Sequence, residues 1–211
     1  MKLYVWGVAP NPRRVQIYLA EKGLKVPTED AGTPNEPTLK KEFLESGPHR
    51  RVPLLVLDDG TQIGEAMAIC RYFETLHPEP SLMGADALER ATIEMWERSA
   101  DNDGMNAVAE YFRNSRKNFA GRGLSGMPGT VEQIPGLVER GKQRLGWFYE
   151  KLDRRLAGHE FIAGKRYSVA DITALCVYDF AKRVGAEAPA SLANLARWHA
   201  AVSARPSAKA S

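Results

Sequence analysis

Up to Pro80, short apolar runs alternate with segments of helical spacing. Residues 3–6 (LYVW) suit a buried strand. Gly7, Pro10 and Pro12 break that run, and Val15, Tyr18 and Leu19 then recur at helical spacing, with Gly23 as a left-handed stop. Residues 25–29 predict a second strand. Pro27 has no N–H for a ladder and assigns it to a sheet edge. Leu39, Phe43 and Leu44 predict a short helix that ends near Gly47-Pro48. Residues 54–57 and 61–63, joined by Asp58-Asp59-Gly60, form the clearest hairpin, because Asp-Gly accommodates the positive φ angles of a tight turn. Ala66, Ile69, Phe73 and Leu76 mark a further helix, ended by Pro78 and Pro80. The pattern is a modest α/β layer.

After residues 81–84 (SLMG) no strand pattern follows. Residues 85–118 are helix formers interrupted by Gly104, and residues 121–136 are a loop rich in glycine and proline. Leu145, Phe148, Leu152 and Leu156 keep helical spacing. Residues 169–181 are apolar nearly all round, the mark of a helix buried on every side, and residues 192–205 are amphipathic. The expected organisation is an α/β domain over 1–80, a linker at 81–84 and an all-helical domain over 85–211.

Composition narrows the function classes. The chain has 211 residues, 44% hydrophobic and 26% charged, the balance of a soluble globular protein. Its 29 basic and 26 acidic residues leave +3, too little for a phosphate-backbone footprint, so no nucleic-acid partner is expected. Two cysteines, Cys70 and Cys176, make no disulfide framework. No apolar run is long enough for a membrane span or a signal peptide, which predicts a cytoplasmic protein with no membrane partner.

There is no Cys-x-x-Cys, His-Glu-x-x-His, Gly-x-Ser-x-Gly or Walker motif, and His49, His77, His159 and His199 are scattered. A zinc enzyme and a hydrolase triad are therefore not expected, and no metal is implied. The informative stretch runs from Arg51 to Ala66. A cis Val52–Pro53 bond would expose the N–H and C=O of Val52 to an extended peptide. Glu65 and Ala66 open the next helix, whose N–H groups attract a carboxylate while Glu65 attracts an ammonium group. An α-amino-carboxylate satisfies both; so does a plain hairpin with an ordinary helix start. Further along, Ser168 and Asp171 resemble a capping box, flanked by Tyr167 and Ile172 where a hydrophobic staple packs, a stabilising device rather than a catalytic one.

Four stretches together resemble the cytosolic glutathione transferases: Ala9-Pro10-Asn11-Pro12-Arg13-Arg14-Val15 with Leu19-Ala20-Glu21-Lys22-Gly23, Val52-Pro53 through Glu65-Ala66, Ala68 through Glu74, and Ser168-Val169-Ala170-Asp171-Ile172. The resemblance implies a thioredoxin-like N-terminal domain, an all-helical C-terminal domain, glutathione as co-substrate and a homodimer. It implies that the Val52 backbone pairs with the cysteinyl part of glutathione beside cis Pro53, and that Glu65 holds the γ-glutamyl amine. Ala66 stands where the family usually has Ser or Thr, so only its backbone N–H remains. Lys40 or Lys41 and Arg51 resemble the bases that reach the glycyl carboxylate.

At the sulfur the chain departs from the pattern. Val8, Ala9 and Pro10 offer no hydroxyl or thiol; Asn11 is the nearest polar side chain, Arg13 follows in the first turn, and Tyr4 belongs to the core. Atypical members use polar groups of the long helix, which makes Ser115 a further candidate. The electrophile would meet Tyr111, Phe112 and Asn114, with residues 119–129 as a lid. A dimer would bring Asp101 or Asp103 of a second chain toward the γ-glutamyl amine. The implied activity is conjugation of glutathione to small hydrophobic electrophiles; a binding module without turnover and a glutathione-dependent peroxidase are the alternatives.

Overall fold

The apolar N-terminal run becomes strand β1 (Lys2–Val5), the spine of the first structural unit. The computed structural model describes residues 1–7, 9–32, 51–127 and 129–210. The chain divides into one unit of Met1–Pro80 with Lys209–Ser211 and a second of Ser81–Ala208. In the first, β1 pairs in parallel with β2 (Thr28–Asp30) and antiparallel with β3 (Leu54–Val56), which pairs antiparallel with β4 (Gln62–Gly64). The order is β2-β1-β3-β4, so β2 is an edge strand, as Pro27 predicts. Helix α1 (Pro10–Glu21) buries Val15, Ile17, Tyr18 and Leu19, and α2 (Ala66–Leu76) buries Ile69, Cys70 and Phe73. This small mixed sheet with its helices is the thioredoxin-like unit expected. The helix predicted around Leu39, Phe43 and Leu44 lies outside the described residues.

Helices α1 and α2 are joined by a polar network. Tyr18 donates to Glu74 Oε2 at 2.5 Å, and the fully buried Lys22 side chain pairs with the same oxygen at 2.5 Å. Lys22 also donates to the carbonyls of His77 at 2.7 Å and Pro78 at 3.3 Å, just past the end of α2. Burial, then Glu74, pushes the Tyr18 phenol far above its usual range, so it stays a donor.

The hairpin differs in detail from the expectation. Only Gly60 has positive φ (86°), the Gly60 N–H donates to the Leu57 carbonyl at 3.0 Å, and the Leu57 N–H donates to the Thr61 carbonyl at 2.9 Å. Asp58-Asp59-Gly60 is therefore a three-residue loop with one left-handed glycine. Asp59 reinforces it by accepting from the Thr61 N–H at 2.8 Å.

The second unit is helical: α3 (Ala87–Ser99), α4 (Asn106–Ser115), α5 (Pro135–Leu156), α6 (Val169–Val184) and α7 (Ala193–Ser203). Between α3 and α4 the backbone is a π-helix over Ala100–Met105, which contains near its end Gly104, the glycine that the sequence marks as an interruption. Within residues 81–84 Leu82 is buried, and its carbonyl accepts from the Val169 N–H at 3.1 Å. Asp171 is fully buried, closes a reciprocal capping box with Ser168, and accepts from the N–H groups of Ile162 (3.0 Å), Ser168 (3.1 Å) and Trp198 (Nε1, 2.9 Å). Tyr167 and Ile172, the staple positions, are both buried. Among the described residues no helix is long and apolar enough to cross a membrane.

Candidate functional site

In the first unit the register Leu54↔Gly64, carried one step further, sets Pro53 beside Glu65. The Val52–Pro53 bond is cis. The Val52 side chain packs on the buried cluster of Tyr4, Ala31 and Leu54, so Tyr4 is core. Among the described residues nothing hydrogen-bonds the N–H or C=O of Val52, which lies just before β3.

Glu65 is the N-cap of α2, and among the described residues it alone is a non-glycine with positive φ, at 63° with ψ 126°. That is a sparsely populated backbone region, worth about 1–3 kcal/mol of strain. The side chain makes no cap hydrogen bond, is 72% exposed, and has Arg51 Nη1 at 4.0 Å from Oε1. Ala66, buried, begins the helix whose first N–H groups have no intrahelical partner. Five predicted residues thus converge here: Arg51, Val52, Pro53, Glu65 and Ala66. Lys40 and Lys41 lie outside the described residues.

The start of α1 has few donors. Ala9 is the N-cap, Pro10 and Pro12 lack N–H groups, and the Arg13 N–H reaches back to the Ala9 carbonyl at 3.5 Å. Asn11 and Arg13 are half-buried in this first turn, and Val8 lies outside the described residues. Arg14, which no sequence motif singles out, is buried and donates through Nη1 to Asn11 Oδ1 at 3.0 Å. The signal for that pair is an (i, i+3) spacing on one helix face.

In the second unit the aromatic candidate Phe112 meets Phe119 and Phe180 edge-on, with ring centroids at 4.7 and 5.2 Å. Tyr111 is half-buried, its hydroxyl 3.4 Å from the Gly185 carbonyl. Asn114, a candidate for the electrophile pocket, is engaged by backbone groups. It is buried, its Nδ2 donates to the Glu110 carbonyl at 2.8 Å, and its Oδ1 accepts from the Ile134 N–H at 2.8 Å, so both ends of the amide hold backbone together. Ser115 is exposed and its hydroxyl lies 3.3 Å from the Phe112 carbonyl.

The expected lid is closed at its base. Phe119 is buried under the guanidinium groups of Arg113 and Arg122, and a bridge pairs Arg122 with Val131. Asp103 bonds within its own chain, to Lys151 Nζ at 3.1 Å and Ser99 Oγ at 2.9 Å. His199 is half-buried, stacked on Tyr178, and bonds Asp179 at 2.7 Å and Ser203 at 3.1 Å. Both contacts use Nε2, whereas a hydrolase relay needs acid and hydroxyl on opposite ring nitrogens.

Residues 3–81 match the family profile described as "Glutathione S-transferase, N-terminal domain", and residues 136–206 that described as "Glutathione S-transferase, C-terminal domain". The chain is 32% identical over 215 residues to "Glutathione S-transferase 2" of Saccharomyces cerevisiae, covering 99% of this chain and 88% of that protein. A solved glutathione S-transferase domain-containing protein of Marinobacter aquaeolei VT8 superposes with a TM-score of 0.88 at 37% identity, covering 98% of this chain and 99% of that one. A class Gtt2 glutathione S-transferase of Vibrio parahaemolyticus superposes with a TM-score of 0.82 at 34% identity, covering 99% and 96%.

Proposed function

The chain belongs to the glutathione S-transferase family, and on that premise we propose that it conjugates the glutathione thiolate to small hydrophobic electrophiles, working as a cytoplasmic homodimer. The observation that carries this reading is the backbone of Val52, without a hydrogen-bond partner among the described residues, beside the exposed carboxylate of Glu65. Glutathione is an extended tripeptide whose cysteinyl N–H and C=O complement the Val52 pair, as in strand addition. Its γ-glutamyl end carries an ammonium group for Glu65 and a carboxylate for the first N–H groups of α2, including that of Ala66. Arg51, with Lys40 or Lys41, supplies positive charge for the glycyl carboxylate.

The thiol must fall by about two pKa units to be mostly ionised at neutral pH, roughly 2.7 kcal/mol of differential stabilisation. A helix N-terminus contributes about 0.3–2 kcal/mol. One hydrogen bond to a charged sulfur adds about 1.5–3 kcal/mol. In this reading Asn11 makes that bond at the start of α1, with the Arg13 charge nearby. Ser115 is the weaker candidate, because its hydroxyl already has the Phe112 carbonyl as an acceptor. Phe112 and Tyr111 offer aromatic surface to the electrophile.

The test is steady-state turnover of 1-chloro-2,4-dinitrobenzene with glutathione, beside calorimetric binding of glutathione. Binding with turnover is expected. Binding without turnover of aryl halides or hydroperoxides would replace the reading with a binding module, and turnover of hydroperoxides alone with a peroxidase.

A further inference from the structure

The geometry around Asn11 points to a second residue that aims it. Arg14 follows Asn11 by one helical turn, is 4% exposed, and donates from Nη1 to Asn11 Oδ1 at 3.0 Å. A guanidinium group carries donors only, so it accepts just one orientation of the asparagine amide. The oxygen must face Arg14, because a reversed amide would set donor against donor. The NH2 group is then directed away from Arg14. Pro10 and Pro12 contribute no N–H, and the Arg13 N–H is directed at the Ala9 carbonyl. Besides the Arg13 guanidinium, the backbone N–H and the NH2 of Asn11 are therefore the donors that the first turn can offer to a ligand, and Arg14 decides where the second of them points.

We propose that Arg14 is a positioning residue for the glutathione sulfur: it holds the Asn11 amide with its NH2 turned toward the thiolate. This rests on the reading of Asn11 as the sulfur's donor. The bond to Arg14 is charge-assisted, so it withdraws electron density from the amide and strengthens the donor that faces the sulfur. An Asn in this place without its arginine would exchange the two ends of its amide. It would then present an oxygen to a thiolate about as readily as an NH2, and the gain in acidity would be lost.

The experiment is ultraviolet difference titration of glutathione bound to the full chain, for the parent, Asn11→Ala, Arg14→Met and the double variant. Calorimetry with S-methylglutathione, which has no thiol to ionise, serves as the control. Asn11→Ala is expected to raise the apparent pKa of the bound thiol by about one unit. Arg14→Met should raise it comparably, and the double variant by no more than the larger single change, because the two act as one unit. In Arg14→Met, affinity for S-methylglutathione should stay within about twofold.

An Arg14→Met protein that loses S-methylglutathione affinity with its thiol pKa unmoved overturns the proposal in favour of a purely structural arginine. Additive shifts overturn it too, since Arg14 would then act on the sulfur directly. An unmoved pKa in Asn11→Ala removes the underlying reading of Asn11, whatever Arg14 does. Asn11→Asp gives the answer where Arg14→Met does not fold. With Arg14 holding one oxygen, the other faces the sulfur and the thiol pKa should rise further than in Asn11→Ala. An equal rise in both would sink the positioning role.

Discussion

Gly104 and Phe148 share one space in the second unit. A Cβ on Gly104 would stand 2.8 Å from Phe148 Cε1 and 3.1 Å from Val177 Cγ1. The absence of a side chain is what lets the π-helix of Ala100–Met105 lie against α5 and α6. Gly104→Ala would gain up to about 1 kcal/mol of helix propensity. Overpacking costs about 1–3 kcal/mol and should win. The expected result is a Tm lowered by several degrees in a thermal melt; an unchanged or raised Tm would show that Phe148 moves aside without cost.

At Glu65 stability and ligand binding should separate. Glycine adopts its φ of 63° without penalty, so Glu65→Gly is expected to raise the Tm. The same substitution removes the carboxylate proposed for the γ-glutamyl amine, and glutathione affinity should fall at least about tenfold, roughly 1.4 kcal/mol. Calorimetry and a melt on one sample test both halves. Full affinity in the glycine variant would exclude Glu65 from the site.

Asp171 should leave a signature in the pH dependence of stability. Burial pushes its carboxyl up to about 6, with the N–H groups of Ile162, Trp198 and Ser168 pulling the other way. A carboxyl with a folded pKa above its unfolded value holds its proton more tightly when folded. Its contribution to stability is therefore complete below about pH 4 and is lost as pH rises through about 6. The span is up to about 3 kcal/mol. In Asp171→Asn that titration is absent, so the parent's advantage over the variant should shrink between pH 4 and pH 7 in urea unfolding. A gap that widened with pH would mean that the hydrogen bonds outweigh the desolvation.

Asn114 is expected to matter for the loop and not for the electrophile. Asn114→Ala leaves the Ile134 N–H and the Glu110 carbonyl without this partner, at about 0.5–1.5 kcal/mol for each hydrogen bond lost. Limited proteolysis within residues 121–134 should accelerate while KM for the aryl halide stays constant. A changed KM with unchanged cleavage would return Asn114 to the pocket.

The dimer proposed here has a candidate face on α3. Ile93 is buried, and Trp96 lies beneath Lys151 and Arg155, whereas Leu88 and Met95 are exposed large hydrophobic residues seven positions apart. Sedimentation should give twice the 23.4 kDa chain mass, and Leu88→Glu with Met95→Glu should shift it to the monomer. A parent that sediments as a monomer at micromolar concentration counts against the dimer.

The alternation of strands and helices, the hairpin over Asp58-Asp59-Gly60, the break at Gly104 and the capping box of Ser168 and Asp171 were legible in the sequence. Each depends on residues within a few positions of one another, and local sterics and backbone hydrogen bonding act over that range. The juxtaposition of Val52-Pro53 with Glu65-Ala66 was legible too, since a hairpin of known register brings its two ends together. What Asn11, Asn114 and Glu65 do was decided by the tertiary structure. Asn11 and Asn114 read alike as polar groups on helices, yet one amide is turned by a buried arginine and the other is consumed between Glu110 and Ile134. Glu65 has positive φ at the residue where β4 has ended and α2 begins. The Asn11–Arg14 and Asn114–Glu110 contacts span one helical turn, but the burial of Arg14 and the reach of Asn114 to Ile134 depend on packing between segments farther apart in the chain, and a side chain's type does not encode the surroundings that packing will assign it.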